Sequence, residues 1–210
     1  MDTDGFLESV ESENQTALSR LGSSKALYAA TAGEMNADTV VAAAADAEYA
    51  ARETFQEWAE DESNARAREV FAETAEEEAG HYDAVLAELG DHDPDPDAVP
   101  AIHDHLRGLE TTIDRAAGLV GRTLASARSK DQFTGYFVGQ ADPQTASLFR
   151  GFGDDLDAQL ERGLDLLEAI CESEEDRERA REVAGETIQT AYEEHVATLE
   201  GMGVDPKPVC

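Results

Sequence analysis

The sequence predicts an all-α protein built on a four-helix bundle with one long crossover connection. Apolar residues recur with a period close to 3.6 along nearly the whole chain, and no segment shows the strict alternation of a half-buried strand. Near the middle, the segment GDHDPDPDAVP at 90–100 interrupts the pattern with three prolines. A chain of 210 residues can bury one core of ordinary size, so residues 1–210 are expected to form a single domain.

The first half of the sequence predicts an N-terminal segment followed by a helical hairpin. Residues at about 4–31 are apolar along one face and are interrupted at LGSSK, which indicates an additional, broken helix. Asn36 is a suitable cap for a helix that runs to about 60, and a second helix is expected at about 63–89. These two helices form a first hairpin at about 36–89.

The proline-rich segment at 90–100 is predicted to be the crossover of the bundle. A helix of about 27 residues is about 40 Å long, and about 11 extended residues reach roughly 36 Å. The segment can therefore just return along the bundle. The alternative is a flexible linker between two helical hairpins.

The second half predicts a second hairpin and one additional C-terminal helix. A third helix is expected at about 102–129, and a fourth begins at Pro143, which suits the first position of a helix, and runs to about 171. Together they form the second hairpin, at about 102–171. A fifth helix is expected at about 174–202, while the pattern at 130–142 predicts no particular structure.

The charge of the chain excludes some partners. Acidic residues outnumber basic ones 47 to 16, for a formal charge of −31. Such a surface repels phosphate backbones and anionic membranes, so neither nucleic acid nor a membrane is an expected partner. The excess of carboxylates resembles that of proteins from salt-loving archaea; the alternative is an ordinary acidic bacterial protein.

Two further features bear on location and on metal chemistry. The sequence has no apolar run of about 18 residues and starts with the acidic stretch MDTDGFLESVESE, so a cytoplasmic location is expected. The two cysteines, Cys171 and Cys210, form neither a C-x-x-C motif nor a disulfide framework. The sequence therefore encodes no rubredoxin-type iron site.

Two glutamates and a histidine occupy positions where helices should be apolar. Glu78 and His81 lie on the core stripe of the helix at 63–89, and Glu48 lies on that of the preceding helix. A buried carboxylate is costly unless it is paired or binds a metal ion, so the three predict a divalent cation site. On this interpretation, replacing Glu78 with alanine should cost little stability. The alternative is a buried hydrogen-bonded cluster. The two stripes are Phe71, Thr74, Glu78, His81 and Val85, and Ala44, Glu48, Ala51 and Phe55.

At these residues the chain resembles the rubrerythrin and ferritin-like family. EYAAR at 48–52 and FAETAEEEAGH at 71–81 look like its first-helix Glu and second-helix Glu-x-x-His segments. The resemblance implies a ferritin-like bundle that binds iron or another divalent metal, with Glu48 as a terminal ligand, Glu78 as a bridging carboxylate and His81 as an imidazole ligand.

The second hairpin departs from the family pattern. When the sequence of the second hairpin is aligned with that of the first at an offset of 78 residues, Leu156 is paired with Glu78 and Gln159 with His81. The partner helix has no acidic residue between Asp114 and Asp131, where its ligand would be expected. Half of a di-iron ligand set is then missing, so at most one metal ion per chain is expected.

Three other residues are weaker candidates for metal ligands. Glu110 and Asp114 are near the start of the third helix, and His195 lies on an apolar stripe of the last one. A histidine on such a stripe is more often a core residue than a ligand. His103 and His105, beside the acidic proline-rich segment, are expected to be solvated; the alternative is a metal site at the surface.

Two classes of function follow from these observations. One is a rubrerythrin-like non-haem iron protein, an oxidoreductase that acts on peroxide or oxygen and needs an external electron donor because rubredoxin cysteines are missing. The other is a non-catalytic ferritin-like helical module that acts through protein–protein interaction. Bundles of this kind commonly pair, so a homodimer is compatible with either class.

Overall fold

The computed structural model describes residues 2–90 and 92–207, and this part of the chain contains nine α-helices and no strand. The prediction of an all-α protein is confirmed. None of the described helices is long and apolar enough to cross a membrane. Cys171 is a buried free thiol, while Cys210 lies outside the described residues. The helices are α1 (Thr3–Glu13), α2 (Gln15–Leu21), α3 (Ser24–Ala30), α4 (Ala37–Asp61), α5 (Ala65–Leu89), α6 (Ala101–Arg107), α7 (Thr112–Gly139), α8 (Pro143–Ile170) and α9 (Glu174–Gly201).

Four long helices pack as two hairpins. Helix α4 packs along α5 and α7 along α8, while α5 also contacts α8 and α4 contacts α7. Side-chain caps set where several of these helices begin. The Asn36 side chain accepts a hydrogen bond from Thr39 N in the first turn of α4, as predicted, and Pro143 stands at the first position of α8.

The remaining helices cover one side of the two hairpins. Helix α9 packs along α7, and the three short N-terminal helices α1 to α3 contact α9, α7 or both. A capping box formed by Ser173 and Asp176 starts α9. The N-terminal segment is interrupted at Gly22 and Ser23, within the predicted LGSSK break, and a second interruption occurs at Asn14. Helix α7 is therefore enclosed on several sides.

The prediction of a single helix at about 102–129 is wrong, because this part of the chain forms two helices. Helix α6 ends at Arg107 and α7 begins at Thr112. The intervening residues have local partners that a continuous helix would not allow: the Thr111 side chain accepts a hydrogen bond from Asp114 N, and Arg115 Nε donates to the carbonyl of Leu109.

The segment at 130–142, for which the sequence predicted no particular structure, is mostly helical. Helix α7 continues through it to Gly139. Lys130, Phe133 and Phe137 are buried with helical spacing, and the two phenylalanines pack against Phe149 of α8. Burial of these rings extends the helix beyond the predicted end.

Two apolar clusters fill the core, and a group of buried polar side chains lies between them along the helices. On α4, Glu48 separates the apolar residues near Val41 from those near Phe55. Glu78 on α5 and Gln159 on α8 likewise separate apolar residues of one cluster from those of the other. The hairpins therefore bring polar groups from several helices to one buried level.

Candidate metal centre

The three predicted ligands meet at this buried level. Glu48 and Glu78 are fully buried, and His81 is 5% exposed. Ligand atoms of the three side chains lie within 4.8 Å of one another, and within the described part of the chain no other group of three or more His, Cys, Asp or Glu residues does so. His81 Nδ1 is 3.8 Å from Glu48 Oε2 and 3.7 Å from Glu78 Oε2. Donor atoms bound to one ion at about 2.0–2.2 Å are about 3–4 Å apart, so small side-chain movements would close the site.

Each carboxylate is held by one of its two oxygens. Glu48 Oε1 accepts a hydrogen bond from Lys130 Nζ. Glu78 Oε1 accepts hydrogen bonds from Arg122 Nη1 at 2.7 Å and from Gln159 Nε2 at 2.9 Å. The other oxygen of each carboxylate is buried without a hydrogen-bond partner among the described residues.

The His81 ring is held in the same way. Its Nε2 lies 2.9 Å from Asp155 Oδ2, whereas its Nδ1 is buried without a hydrogen-bond partner in the described chain. The ring stacks on Phe152 with centroids 4.1 Å apart. A carboxylate on one imidazole nitrogen fixes the ring and the tautomer of a metal-binding histidine, leaving the other nitrogen for the ion.

Two buried cations balance the two buried carboxylates. Arg122 and Lys130 of α7 are 3% and 5% exposed, and each contacts one glutamate of the first hairpin. Their charges also lie over aromatic rings, Arg122 over Phe55 and Lys130 over Phe152. The cluster is therefore a set of ion pairs as well as a convergence of ligand atoms.

These contacts change the proton affinities of the cluster. Burial by itself raises the pKa of Glu78, but the charge and hydrogen bond of Arg122 and the ring of His81 outweigh it and hold the pKa well below its usual range. Burial lowers the pKa of His81, but the carboxylates of Glu78 and Asp155 raise it above its ordinary value. Glu78 is thus kept as a carboxylate, the form that binds metal ions.

Lys130 is subject to two opposing effects. Burial lowers its pKa to about 7, while direct contact with the Glu48 carboxylate favours the charged ammonium. We regard the pair as charged because the two groups are in contact.

The structure does not bring the weaker candidates to this cluster. Glu110 is exposed in the break between α6 and α7. Asp114 is buried, but its Oδ1 accepts a 2.8 Å hydrogen bond from Arg179 of α9. His195 is 7% exposed, and its Nε2 has no hydrogen-bond partner among the described residues, yet it lies outside the group formed by the three ligands.

The prediction that His103 is solvated is wrong. His103 is 4% exposed, and its Nδ1 lies 3.0 Å from Thr54 Oγ1. Burial, together with the charges of Arg122 and Arg107, lowers the pKa of His103 to about 3. The ring is therefore neutral in the folded protein. His105 is partly buried, with Nε2 3.2 Å from Thr187 Oγ1.

Sequence reasoning missed Arg122 and Lys130. Both lie in RAAGLVGRTLASARSK at 115–130, the stretch without acidic residues that follows Asp114. A helical spacing connects them with Arg115, which pairs with Asp61 of α4 at 2.9 Å. The three cations Arg115, Arg122 and Lys130 therefore lie on one face of α7, the face that is turned toward the first hairpin. This spacing was the signal in the sequence that could have predicted them. Leu119 and Ser126 lie on the same face between the cations.

Comparisons of the chain with family models, with curated proteins and with solved structures find no match.

Proposed function

We propose that this chain is a ferritin-like protein of the rubrerythrin type that binds one divalent metal ion through Glu48, Glu78 and His81. One observation carries the proposal: each side chain is anchored by one polar atom and presents a second, buried and unpartnered atom to the same point. Leaving a buried polar atom without a partner costs free energy, and an ion bound at this point would supply a partner for all three.

The donor set fits a divalent first-row transition metal. Two carboxylates and one imidazole suit iron(II), manganese(II) or zinc(II), and three protein ligands leave coordination positions open. Iron held there would supply electron transfer to peroxide or oxygen, with electrons from an external donor. The chain's own groups keep Glu78 ionised and orient the His81 ring through Asp155.

The same surroundings favour one ion over two. Arg122 and Lys130 project from α7, where the second hairpin of a di-iron bundle would supply further carboxylates. Two fixed positive charges disfavour a second divalent ion beside the first. The ferritin-like architecture and the iron-linked activity are thus proposed together with a stoichiometry of one.

Cobalt(II), whose visible absorption reports coordination, tests the proposal. Titration of the chelator-treated protein should reach one equivalent per chain. Glu78→Gln and His81→Gln should each weaken binding at least tenfold, whereas Glu76→Gln, an equal charge change at an exposed position of α5, should not. Equal binding by Glu78→Gln and Glu76→Gln would refute the proposed ligand set.

The ion pairs favour a second candidate function. Because Lys130 and Arg122 neutralise Glu48 and Glu78, the fold can hold these carboxylates without a metal ion. The chain would then be a non-catalytic helical module that acts through protein–protein contacts. In that case, the wild-type protein and all three variants would show no cobalt-dependent absorption.

A further inference from the structure

A cleft of about 570 Å³ lies beside the candidate metal centre. It is bordered by α3, α4, α7 and α9 and by the chain at 98–103. Small side chains create the space, since each of the four helices contributes alanines to its walls. The volume is within the range of about 300–1,000 Å³ that is typical of small-molecule pockets. The alanines are Ala26, Ala29 and Ala30, Ala43 and Ala47, Ala125, and Ala191.

Two cations, Arg122 and Lys130, line the cleft together with three carboxylates, Asp46, Glu48 and Glu194. Each carboxylate already accepts a hydrogen bond, whereas the two cations keep unused donors. Lys130 has three N–H groups, and its only acceptor among the described residues is Glu48. Arg122 donates through Nη1, but its Nε is buried without an acceptor in the described chain. His195 also lines the cleft, and its Nε2, in a ring that is 7% exposed, has no partner among the described residues. A ligand that satisfies Lys130 and Arg122 must bring acceptors, while the imidazole of His195 can either donate or accept.

The lining therefore selects for one class of molecule. An aliphatic body fits the alanine walls, and a carboxylate offers several acceptor sites to Lys130 and Arg122. An ammonium group would bring no acceptor for the unused N–H groups of Lys130 and Arg122, and an alcohol would offer a single oxygen. A divalent ion at Glu48, Glu78 and His81 would add positive charge beside the cleft and attract an anion further.

We propose that this cleft binds a small aliphatic carboxylate, with its head near Lys130 and Arg122, and that a divalent ion at the neighbouring centre tightens the binding. The second half of this statement rests on the proposed function, whereas the first half does not. Neither half requires a chemical change of the ligand.

Calorimetric titration with octanoate, octanol and octylamine tests the first half in metal-free protein. Octanoate should bind at least tenfold more tightly than either of the other two molecules. Ala191→Leu and Ala43→Leu, which fill the cleft from two different helices, should each lower the affinity for octanoate at least tenfold. Ala197→Leu, an exposed change on α9, should have no effect. Equal binding of the three ligands, or unchanged octanoate binding in both cleft-filling variants, would overturn the inference.

Repeating the octanoate titration with zinc(II) tests the second half. Zinc should raise the affinity of the wild-type protein for octanoate severalfold. It should leave the octanoate affinity of Glu78→Gln unchanged. If zinc binds the wild-type protein and octanoate affinity stays the same, the coupling is wrong. If zinc does not bind while octanoate still does, the proposed metal site fails and the carboxylate cleft stands.

Discussion

Glu78 and Arg122 form a fully buried ion pair, with 2.7 Å between Oε1 and Nη1. Removing one partner of such a pair typically costs about 3–5 kcal/mol, because it leaves an uncompensated buried charge. The expectation that Glu78→Ala would cost little stability is therefore revised. The structure predicts that Glu78→Ala destabilises the metal-free protein by several kcal/mol.

A double-mutant cycle measures this coupling by urea unfolding in the presence of a chelator. Replacing both partners by methionine should restore much of the stability that either single substitution removes, since two apolar groups can fill the space without buried charge. Additive effects of the two substitutions would show that the pair is not coupled.

The burial of His103 should make the stability of the folded protein decrease in acid. The pKa of His103 is lowered to about 3 in the folded protein by burial, from about 6.5 in an unfolded chain. Below pH 6.5 the unfolded state binds a proton that the folded state excludes, so the contribution is present above that pH and declines toward pH 3. Between pH 7 and pH 5, the unfolding free energy of the wild-type protein should fall by about 2 kcal/mol more than that of His103→Gln. Parallel pH profiles from urea unfolding would contradict this assignment.

Sequence periodicity predicted the burial of Glu48, Glu78 and His81 because each lies on an otherwise apolar stripe of its helix. It missed Arg122 and Lys130 because long basic side chains are usually solvated at their ends, and periodicity does not show how far they reach across a core. Asp155 was missed since its carboxylate is half exposed and contacts His81 only by its tip.

Gly121 of α7 lies directly against the backbone of α9. A methyl group at this position would lie 2.5 Å from the carbonyl oxygen of Ala184 and 2.9 Å from Thr187 Cβ. Gly121→Ala should therefore destabilise the fold by about 1–3 kcal/mol, despite the better helix propensity of alanine. At Gly135 of the same helix no neighbouring atom is within 4 Å, so Gly135→Ala should stabilise by about 1 kcal/mol. The melting temperatures of both variants, compared with that of the wild-type protein, test these two expectations. A higher melting temperature for Gly121→Ala would show that the helices can separate freely.

Local caps made some helix starts predictable, but not the start of α7, which Thr111 caps in the same way. Asn36 and Pro143 begin helices as expected, whereas the break at 108–111 was missed because the apolar period continues across it. Its cause includes tertiary contacts: Glu62, the residue that follows α4, accepts a hydrogen bond from Thr112 Oγ1 and lies close to Arg115. Such contacts between distant segments leave no trace in a local pattern.

For the whole molecule, the formal charge of −31 predicts a salt-dependent stability. Exposed carboxylates repel one another unless ions screen them, and the Debye length rises to about 10 Å at 0.1 M salt. The melting temperature should therefore fall as potassium chloride is lowered from molar concentration to about 0.1 M. An unchanged melting temperature over this range would argue against adaptation to concentrated salt.

The number of metal ions bound per chain distinguishes a single-ion site from both a di-metal site and a metal-free ion-pair cluster. Equilibrium dialysis of the wild-type protein against iron(II) without oxygen, followed by elemental analysis, should give one ion per chain. His81→Gln should give none under the same conditions, because it removes the only nitrogen ligand. No iron in the wild-type protein would contradict the metal site, and two ions per chain would contradict the role assigned to Arg122 and Lys130.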